Sequence, residues 1–369
     1  MVRRQIKMKI RYRNLKISDP SLKKEYISGL EKVMSSGMFM MGEYTEKFEK
    51  AFASYCGKNN CVGVSNGTSG VYLALKSIGI GKGDEVITTT MSWLATANAI
   101  IALGAKPIFV DIMDDLNINP DLIEKEITKK TKAIIAVHFC GRICEIDKIK
   151  KIALKNKIKL IEDSSQAAGA TYKNKKAGFW GHLSAFSMNP MKPLGAFGEA
   201  GAIIFNDNKI IKKIKSFRYL GTENIEICNH PEMNHKIDEI QSIWLLKKLK
   251  RLDSTLNLRR KKAIKISKLL SKKVKVIGIE EPQRTTFFEF TIDCDDRDKL
   301  KKYLEGKEIE TKIKHPILMC DQPGYLLNKK YDVPNSRRLV KRILSLPLHE
   351  SLTESEIKYM TNQINSFYD

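Results

Sequence analysis

A single lysine stands in an otherwise uncharged part of the chain. Between His182 and Gly198, with histidine taken as neutral, the one charged side chain is that of Lys192, although 29% of all residues are charged. Its neighbours Met191 and Leu194 are apolar, so folding should remove water from the amine. Desolvation lowers the pKa of an amine and makes it nucleophilic, as a Schiff-base lysine requires. For any one such lysine, extension from an apolar loop to solvent is the commoner alternative.

A turn rich in glycine and hydroxyl residues is the second candidate. Gly67, Thr68 and Ser69 follow a short β-branched run and precede an amphipathic stretch. At a helix N-terminus such residues supply backbone N–H groups that bind a phosphate or a carboxylate. Serine and threonine are also ordinary helix caps, so the turn alone does not decide between a ligand site and a cap.

An acidic and an aromatic residue follow two other apolar runs. Asp163 ends the run Leu160–Asp163, and Trp93 comes shortly after Val86–Thr90. A carboxylate at the end of a buried strand needs a cationic or hydrogen-bonding partner, which a protonated pyridine ring or a structural arginine could supply. Trp93 could offer its aromatic face to the same site or could pack in the core.

The elements that would position these residues alternate between strands and helices. Short, almost continuously apolar strands separated by amphipathic stretches predict a mostly parallel seven-stranded α/β sheet flanked by helices. The predicted strands are Cys61–Val64, Val86–Thr90, Pro107–Asp111, Ala133–His138, Leu160–Asp163, Ser184–Ser187 and Ala202–Phe205. The helices predicted between them are Ser69–Ser77, Leu94–Leu103, Pro120–Lys129 and Ile146–Lys155.

Ligands of open α/β sheets bind beyond the carboxyl ends of the strands, so the lysine, the acid, the aromatic ring and the anion turn should share one site. That set of groups suits pyridoxal 5′-phosphate (PLP). The lysine would hold the aldehyde, the acid would keep the ring nitrogen protonated, and the helix start would hold the phosphate.

The pattern changes in the last third of the chain. The elements predicted there are helices Lys236–Lys250 and Asn257–Leu270, strands Val274–Ile277, Thr286–Ile292 and Ile309–Lys314, and helices Arg297–Leu304, Ser336–Ile343 and Glu354–Phe367. We therefore predict a large α/β domain over residues 1–250 and a small α+β domain over residues 251–369, with the N-terminal segment 1–48 packing near the small domain.

Composition excludes several classes of protein. The formal net charge of +23 comes from lysines that alternate with apolar residues at helical spacing, which is typical of solvated helix faces. The sequence contains no zinc-finger or aromatic–basic motif of the kind that indicates nucleic-acid binding. It also contains no stretch that is long and apolar enough to span a membrane. Seven scattered cysteines without zinc spacing indicate reduced thiols in a cytoplasmic protein that binds no metal.

A series of short motifs runs almost from end to end of the chain. In order they are Ser36-Gly37, Gly42, Phe48-Glu49, Ser65-Asn66-Gly67-Thr68-Ser69, Gly81, Ala95-Thr96-Ala97-Asn98, His138, Gly141, Glu162-Asp163, Gln166, Phe186-Ser187, Lys192, Gly198-Glu199, Met233-Asn234, Gln241 and Ser345-Leu346-Pro347-Leu348-His349. The ordered set resembles the DegT/StrS-type sugar aminotransferases, which have the aspartate-aminotransferase fold (fold type I) and use PLP.

The resemblance implies a role for each site residue. Lys192 and Asp163 would be catalytic, Lys192 as the Schiff-base lysine and proton carrier and Asp163 as the partner of the pyridine nitrogen. The cofactor-binding residues implied are Gly67, Thr68, Ser69 and Ser187 around the phosphate, Trp93 on the ring, Gln166 at the ring hydroxyl, and Asn234 from a partner subunit. The implied assembly is a homodimer with shared active sites.

The resemblance also implies a reaction. L-Glutamate would donate an amino group to a keto sugar carried on a nucleotide diphosphate, in amino-sugar and surface-glycan biosynthesis. The keto position, carbon 3 or 4, and a sugar phosphate as the substrate stay open. Sugar dehydratases of the same fold carry histidine in place of the lysine, so Lys192 argues against that alternative. A non-catalytic regulator is a further alternative, although no helix-turn-helix module extends the chain.

The chain departs from the common family pattern beside the lysine. Met188, Asn189 and Ala200 stand where relatives often have other residues. We expect these positions to flank the sugar side of the pocket and to reflect the identity of the substrate.

Overall fold

The structure is a computed structural model that describes residues 10–224, 226–279, 283–325 and 330–369. Its strands are β1 (Asn60–Val64), β2 (Glu85–Thr89), β3 (Lys106–Val110), β4 (Thr131–Val137), β5 (Lys159–Asp163), β6 (Thr171–Tyr172), β7 (Lys175–Lys176), β8 (Leu183–Ser187), β9 (Gly201–Phe205), β10 (Thr222–Glu223), β11 (Ile227–Cys228), β12 (Lys275–Val276), β13 (Phe290–Asp293) and β14 (Ile343–Leu346). Its helices are α1 (Pro20–Ser36), α2 (Glu43–Cys56), α3 (Gly67–Ser77), α4 (Leu94–Ala102), α5 (Ile146–Lys155), α6 (Ile211–Arg218), α7 (Glu239–Leu269), α8 (Arg297–Gly306), α9 (Pro334–Leu339) and α10 (Glu354–Tyr368).

A seven-stranded sheet with the order β1-β9-β8-β5-β4-β2-β3 forms the centre of the large part of the fold. Every strand but β9 runs in the same direction, because β9 pairs antiparallel with both β8 and β1 while the remaining pairs are parallel. The predicted mostly parallel α/β sheet is therefore confirmed, and all seven predicted strands are present. The carboxyl ends of β1, β2, β5 and β8 share one edge of this sheet.

Helix α3 crosses the sheet from that edge. It begins directly after β1 and packs on β8 and β9, with Leu73, Ala74 and Leu75 wholly buried in the core. Its first residue, Gly67, touches the end of β8, because a Cβ added there would lie 2.5 Å from the Cβ of Ser187. The absence of a side chain thus lets the helix start approach the strand end.

A second hydrophobic core forms around the three-stranded sheet β12-β13-β14 and helices α8 and α10. Ile10, from the N-terminal segment, is fully buried in this core and pairs with Ile309. Helix α7 runs through position 250 without a break, so Leu252 and Leu256 pack beside the large sheet and Ala263 lies in the second core. The division of the chain into domains at residue 250 stays a prediction.

Several predicted elements differ from the structure. The two helices Lys236–Lys250 and Asn257–Leu270 are one helix, α7, because the apolar stripe continues through Leu252 and Leu256. The stretch Pro120–Lys129 forms two short 3₁₀ turns instead of a helix, since only Pro120 and Ile123 within these turns are buried and give no stripe to pack.

Two more of these elements lie in the last third of the chain. Ile309–Lys314 makes only isolated bridges rather than a strand. The predicted helix Ser336–Ile343 ends at Leu339, and Ile343 already belongs to β14. Within the described part of the chain, no helix combines the length and the apolar character needed to cross a membrane.

Candidate active site

A cavity of about 460 Å³ lies at the carboxyl edge of the large sheet. Seven of the nine predicted cofactor-binding residues line it, namely Gly67, Thr68, Trp93, Asp163, Gln166, Ser187 and Lys192. These residues come from four segments that are far apart in the chain. The parallel topology brings them together, because each segment follows or ends a strand at the same edge.

Lys192 lies in the loop between β8 and β9. The pKa of its amine is lowered to about 8, mainly by desolvation; the cations Arg13 and Lys314 also lower it, whereas Asp163 raises it. The Nζ atom lies 4.4 Å from the centre of the Phe288 ring. Roughly a tenth of the amine is therefore neutral at pH 7, far more than for an ordinary lysine, and the neutral form is what a nucleophile or a proton acceptor needs.

Asp163 ends β5 and is 5% exposed. Its Oδ2 accepts a hydrogen bond of 2.8 Å from the hydroxyl of Thr96, and Oδ1 accepts one of 3.2 Å from the backbone N–H of Ser165. The Thr96 hydroxyl also lies 2.8 Å from that of Ser92. Thr96 belongs to a motif that the sequence analysis quoted without a role, and its spacing alone could not show which carboxylate it orients.

His138 and Glu162 form a buried pair near the carboxyl ends of β4 and β5. The Nε2 atom of His138 lies 2.9 Å from Oε2 of Glu162, and both residues are fully buried. Desolvation alone would raise the pKa of Glu162, but hydrogen bonds from His138 and from the backbone N–H groups of Gly178 and Gly181 outweigh it and lower the pKa. Glu162 thereby ties the loop after β7 to the strand that ends in Asp163.

The start of α3 forms the predicted anion turn. Asn66 caps the helix through a 2.8 Å hydrogen bond from the Ser69 N–H to its Oδ1, and Thr68 is exposed in the cavity. Ser69 does not line the cavity, because its hydroxyl faces Ser65 at 3.0 Å and His235 Nδ1 at 2.9 Å. Its position is that of a structural contact below the helix start.

The remaining predicted residues differ in placement. Gln166 accepts a 2.8 Å hydrogen bond from the Cys140 N–H and lines the cavity. Trp93 is 61% exposed and meets the ring of His315 edge-on at 5.8 Å. Asn234 is exposed and does not line the cavity of its own chain. A contribution of Asn234 would therefore have to come from another copy.

Two of the three positions expected to flank the sugar side of the pocket, Met188 and Ala200, do not line the cavity. Met188 and Ala200 are fully buried in the core, where the Met188 N–H bonds to the Ala200 carbonyl at 2.7 Å, because both continue the β8–β9 pairing beyond its last residues. Of the three positions only Asn189 lines the cavity, and its amide binds Glu199.

Three charged residues missed by the sequence analysis form what we call the charged cluster: Arg13, Glu289 and Lys314. Oε1 of Glu289 lies 2.8 Å from Nη2 of Arg13 and 3.3 Å from Nζ of Lys314. Glu289 and Lys314 line the cavity. Desolvation raises the pKa of Glu289 to about 7, against the attraction of Lys314. No spacing signal joins these residues, since they come from three distant segments.

The residues present fit PLP. Gly67 and Ser187 leave backbone and hydroxyl groups around a helix N-terminus, which suits a phosphate. The buried Asp163 accepts a hydrogen bond on each of its two oxygens, and Lys192 lines the same cavity. The described residues contain no cluster of three potential metal ligands.

Fold and site together define a PLP-dependent aminotransferase of fold type I. The chain belongs to the DegT/DnrJ/EryC1/StrS aminotransferase family, whose model matches residues 20–365.

Individual proteins extend this similarity. The chain is 35% identical over 94% of its length to a protein of Geobacillus stearothermophilus named pleiotropic regulatory protein, covering 95% of that protein. It is 35% identical over 89% of its length, and 90% of the relative's, to the dTDP-3-amino-3,4,6-trideoxy-alpha-D-glucose transaminase of Micromonospora megalomicea subsp. nigra. The crystal structure of S. venezuelae DesV in complex with a ketimine intermediate superposes with a TM-score of 0.94, 28% identity and 98% coverage of both chains.

Proposed function

We propose that this enzyme transfers an amino group from L-glutamate to a keto sugar linked to a nucleotide diphosphate. The observation that carries the proposal is the meeting of Lys192, Asp163 and the α3 helix start in one cavity. The Micromonospora relative is named for a dTDP-linked amino sugar, which supports the nucleotide. The glutamate donor rests on the family resemblance, and a net charge of +23 favours anionic substrates in general.

Lys192 would be the proton carrier in both half-reactions. When bound, PLP supplies an electron sink that stabilises negative charge on the substrate carbon attached to the nitrogen. Nζ of Lys192 would take the proton from that carbon and deliver it at the cofactor carbon C4′, and would reverse this path with the keto sugar. Its pKa of about 8 places the amine near the range that general acid–base exchange requires.

Asp163 would hold the pyridine nitrogen in its protonated form. The hydrogen bonds from Thr96 and from the Ser165 N–H orient its two oxygens. Thr68, Ser187 and the backbone at Gly67 would bind the phosphate, Gln166 would contact the ring hydroxyl, and Trp93 would cover the ring.

We further propose a homodimer with shared active sites. Two large apolar side chains are exposed: Trp93, at the cavity, is 61% exposed, and Met233, next to Asn234, is 60% exposed. Exposed apolar surface of this kind favours contact with a second subunit, both at the cavity and at the residue expected to reach the partner's active site. In a dimer, Asn234 of each subunit would complete the phosphate site of the other. Sedimentation velocity should then show a dimer, and Asn234→Ala should weaken cofactor binding without changing the Lys192 chemistry.

The visible absorbance of the protein loaded with PLP tests the proposal. Lys192→Ala should abolish the band of the lysine-bound cofactor, and L-glutamate should convert that band in the wild type while producing 2-oxoglutarate. Nucleotide-linked 3-oxo and 4-oxo sugars and a 3-oxo sugar phosphate should then be compared as acceptors. A protein that takes up no PLP, or whose spectrum L-glutamate leaves unchanged, would refute the proposal.

A further inference from the structure

Glu289 lines the cavity, and one of its carboxylate oxygens has no hydrogen-bond partner among the residues that the structure describes. The residue is 5% exposed, lines the candidate active site and binds Arg13 and Lys314 through Oε1. Its Oε2 is buried and has no hydrogen-bond partner within the described ranges of the chain. A buried carboxylate oxygen without a donor is unfavourable, so a ligand that donates a hydrogen bond would complete this site.

The carboxylate stands beside the reacting lysine. Arg13 donates through Nη1 to the carbonyl of Met191, next to Lys192, at 2.9 Å, and through Nη2 to Glu289. The ring of Phe288, which precedes Glu289, lies 4.4 Å from Nζ of Lys192. One guanidinium thus fixes both the lysine loop and the carboxylate, and Lys192 and Glu289 line the same cavity.

On the basis of the proposed aminotransferase function, we propose that Glu289 selects keto sugars bearing a hydroxyl next to the carbonyl carbon. The hydroxyl would donate a hydrogen bond to Oε2, which makes Glu289 a specificity-determining residue.

The charges around Glu289 favour a neutral donor over an ammonium group. Arg13 and Lys314 already bind its other oxygen, so two cations neighbour this one carboxylate and a third cation would be repelled by them. A hydroxyl bound to a carboxylate makes a short, charge-assisted hydrogen bond. Desolvation raises the pKa of Glu289 to about 7, although Lys314 lowers it. A deoxy sugar would leave Oε2 unpaired, and sites of this kind discriminate strongly against such analogues.

Matched substrate pairs test this inference. The holoenzyme is assayed with dTDP-linked 4-oxo sugars that have or lack the 3-hydroxyl, and with 3-oxo sugars that have or lack the hydroxyls on both carbons 2 and 4. Wild-type kcat/KM should favour the hydroxylated member of the accepted pair by roughly ten- to hundredfold, the value of a hydrogen bond to a charged group. In Glu289→Gln an amide donor can replace the free oxygen, and the ratio should fall to about threefold or less.

Glu310→Gln is the matched control. Glu310 also binds the N-terminal segment and a lysine, through the Tyr12 N–H at 3.0 Å and Lys312 at 2.7 Å, but it does not line the cavity. This variant should keep the wild-type ratio. A purely structural Glu289 would lower kcat/KM equally for both sugars when replaced.

Two results would overturn the inference while leaving the proposed function intact. One is equal use of both members of a pair by the wild type, which needs no variant to fold. The other is an unchanged ratio in Glu289→Gln. A holoenzyme that reacts with L-glutamate but accepts none of the keto sugars would instead overturn the proposed acceptor, and the inference with it.

Discussion

Removing the Arg13 cation should raise the pKa of the Lys192 amine. The guanidinium carbon of Arg13 and Nζ of Lys192 lie 4.3 Å and 4.4 Å from the centre of the same Phe288 ring, so the two charges are within about 9 Å of each other. At an effective dielectric constant of about 20 their repulsion is worth about 2 kcal/mol, or about one pKa unit. Pairing of Arg13 with Glu289 reduces this, and we expect Arg13→Met to raise the pKa from about 8 by half a unit to one unit.

The rate of PLP uptake by the apoprotein measures this shift. Only the neutral amine attacks the aldehyde, so the uptake rate rises as pH passes through the pKa of Lys192. At pH 8 the neutral fraction, and with it the rate, should fall about two- to fivefold in Arg13→Met. Arg11→Met removes an equal charge from an exposed position two residues away and should leave the midpoint unchanged. Coincident pH profiles for Arg13→Met and the wild type, or equal shifts in both variants, would refute the electrostatic explanation.

Three further predictions concern the supports of the site. Gly67→Ala should cost about 1–3 kcal/mol of unfolding free energy and weaken PLP binding, because the new Cβ would lie 2.5 Å from the Cβ of Ser187. In the control Gly81→Ala the new Cβ meets no atom within 4 Å, so this variant should keep its stability. Similar losses of stability in the denaturant melts of both variants would contradict this. Thr96→Val should weaken PLP binding roughly tenfold or more by removing a donor from the carboxylate that ends β5, and an unchanged dissociation constant in equilibrium dialysis would argue against that role. The pKa of Glu162 is lower in the folded protein than its ordinary value of 4.5, so its ionised carboxylate stabilises the fold above pH 4.5. This stabilisation is lost as the pH falls below 4.5. Glu162→Gln should therefore make the free energy of unfolding depend less on pH on the acid side.

The strand ends could be predicted from the sequence because their signal is local. Each strand of the large sheet is a short apolar run, and parallel topology places the residues that follow at one edge. That rule brought Trp93, Asp163 and Lys192 into one predicted site, and the structure places them in one cavity. Helix α7 was less predictable, because Asp253, Ser254 and Thr255 resemble a helix start although Leu252 and Leu256 continue the buried stripe.

The positions around the lysine could not be assigned from the sequence in the same way. Proximity in the chain suggested that Met188 and Ala200 face the substrate, but the alternation of side chains along paired strands turns both into the core. Glu289 and Lys314, which do face the cavity, lie about 100 residues or more from Lys192 in the chain and carry no motif. Charged residues contributed by another domain or segment leave no periodicity that a sequence pattern could show.

The lysine itself shows how far local composition can be trusted. Its uncharged surroundings in the chain predict desolvation, and desolvation is the largest cause of its lowered pKa. The same stretch gives no indication that Arg13 and Lys314 lower that pKa further while Asp163 acts against them. Lys192 is far from other charged residues in the sequence but not in the folded structure. The charge state of its amine therefore depends on residues of distant segments that lie near it after folding. The pKa of Lys192 is therefore adjustable by residues outside the motif that identifies it, and relatives that share the lysine need not share its pH dependence.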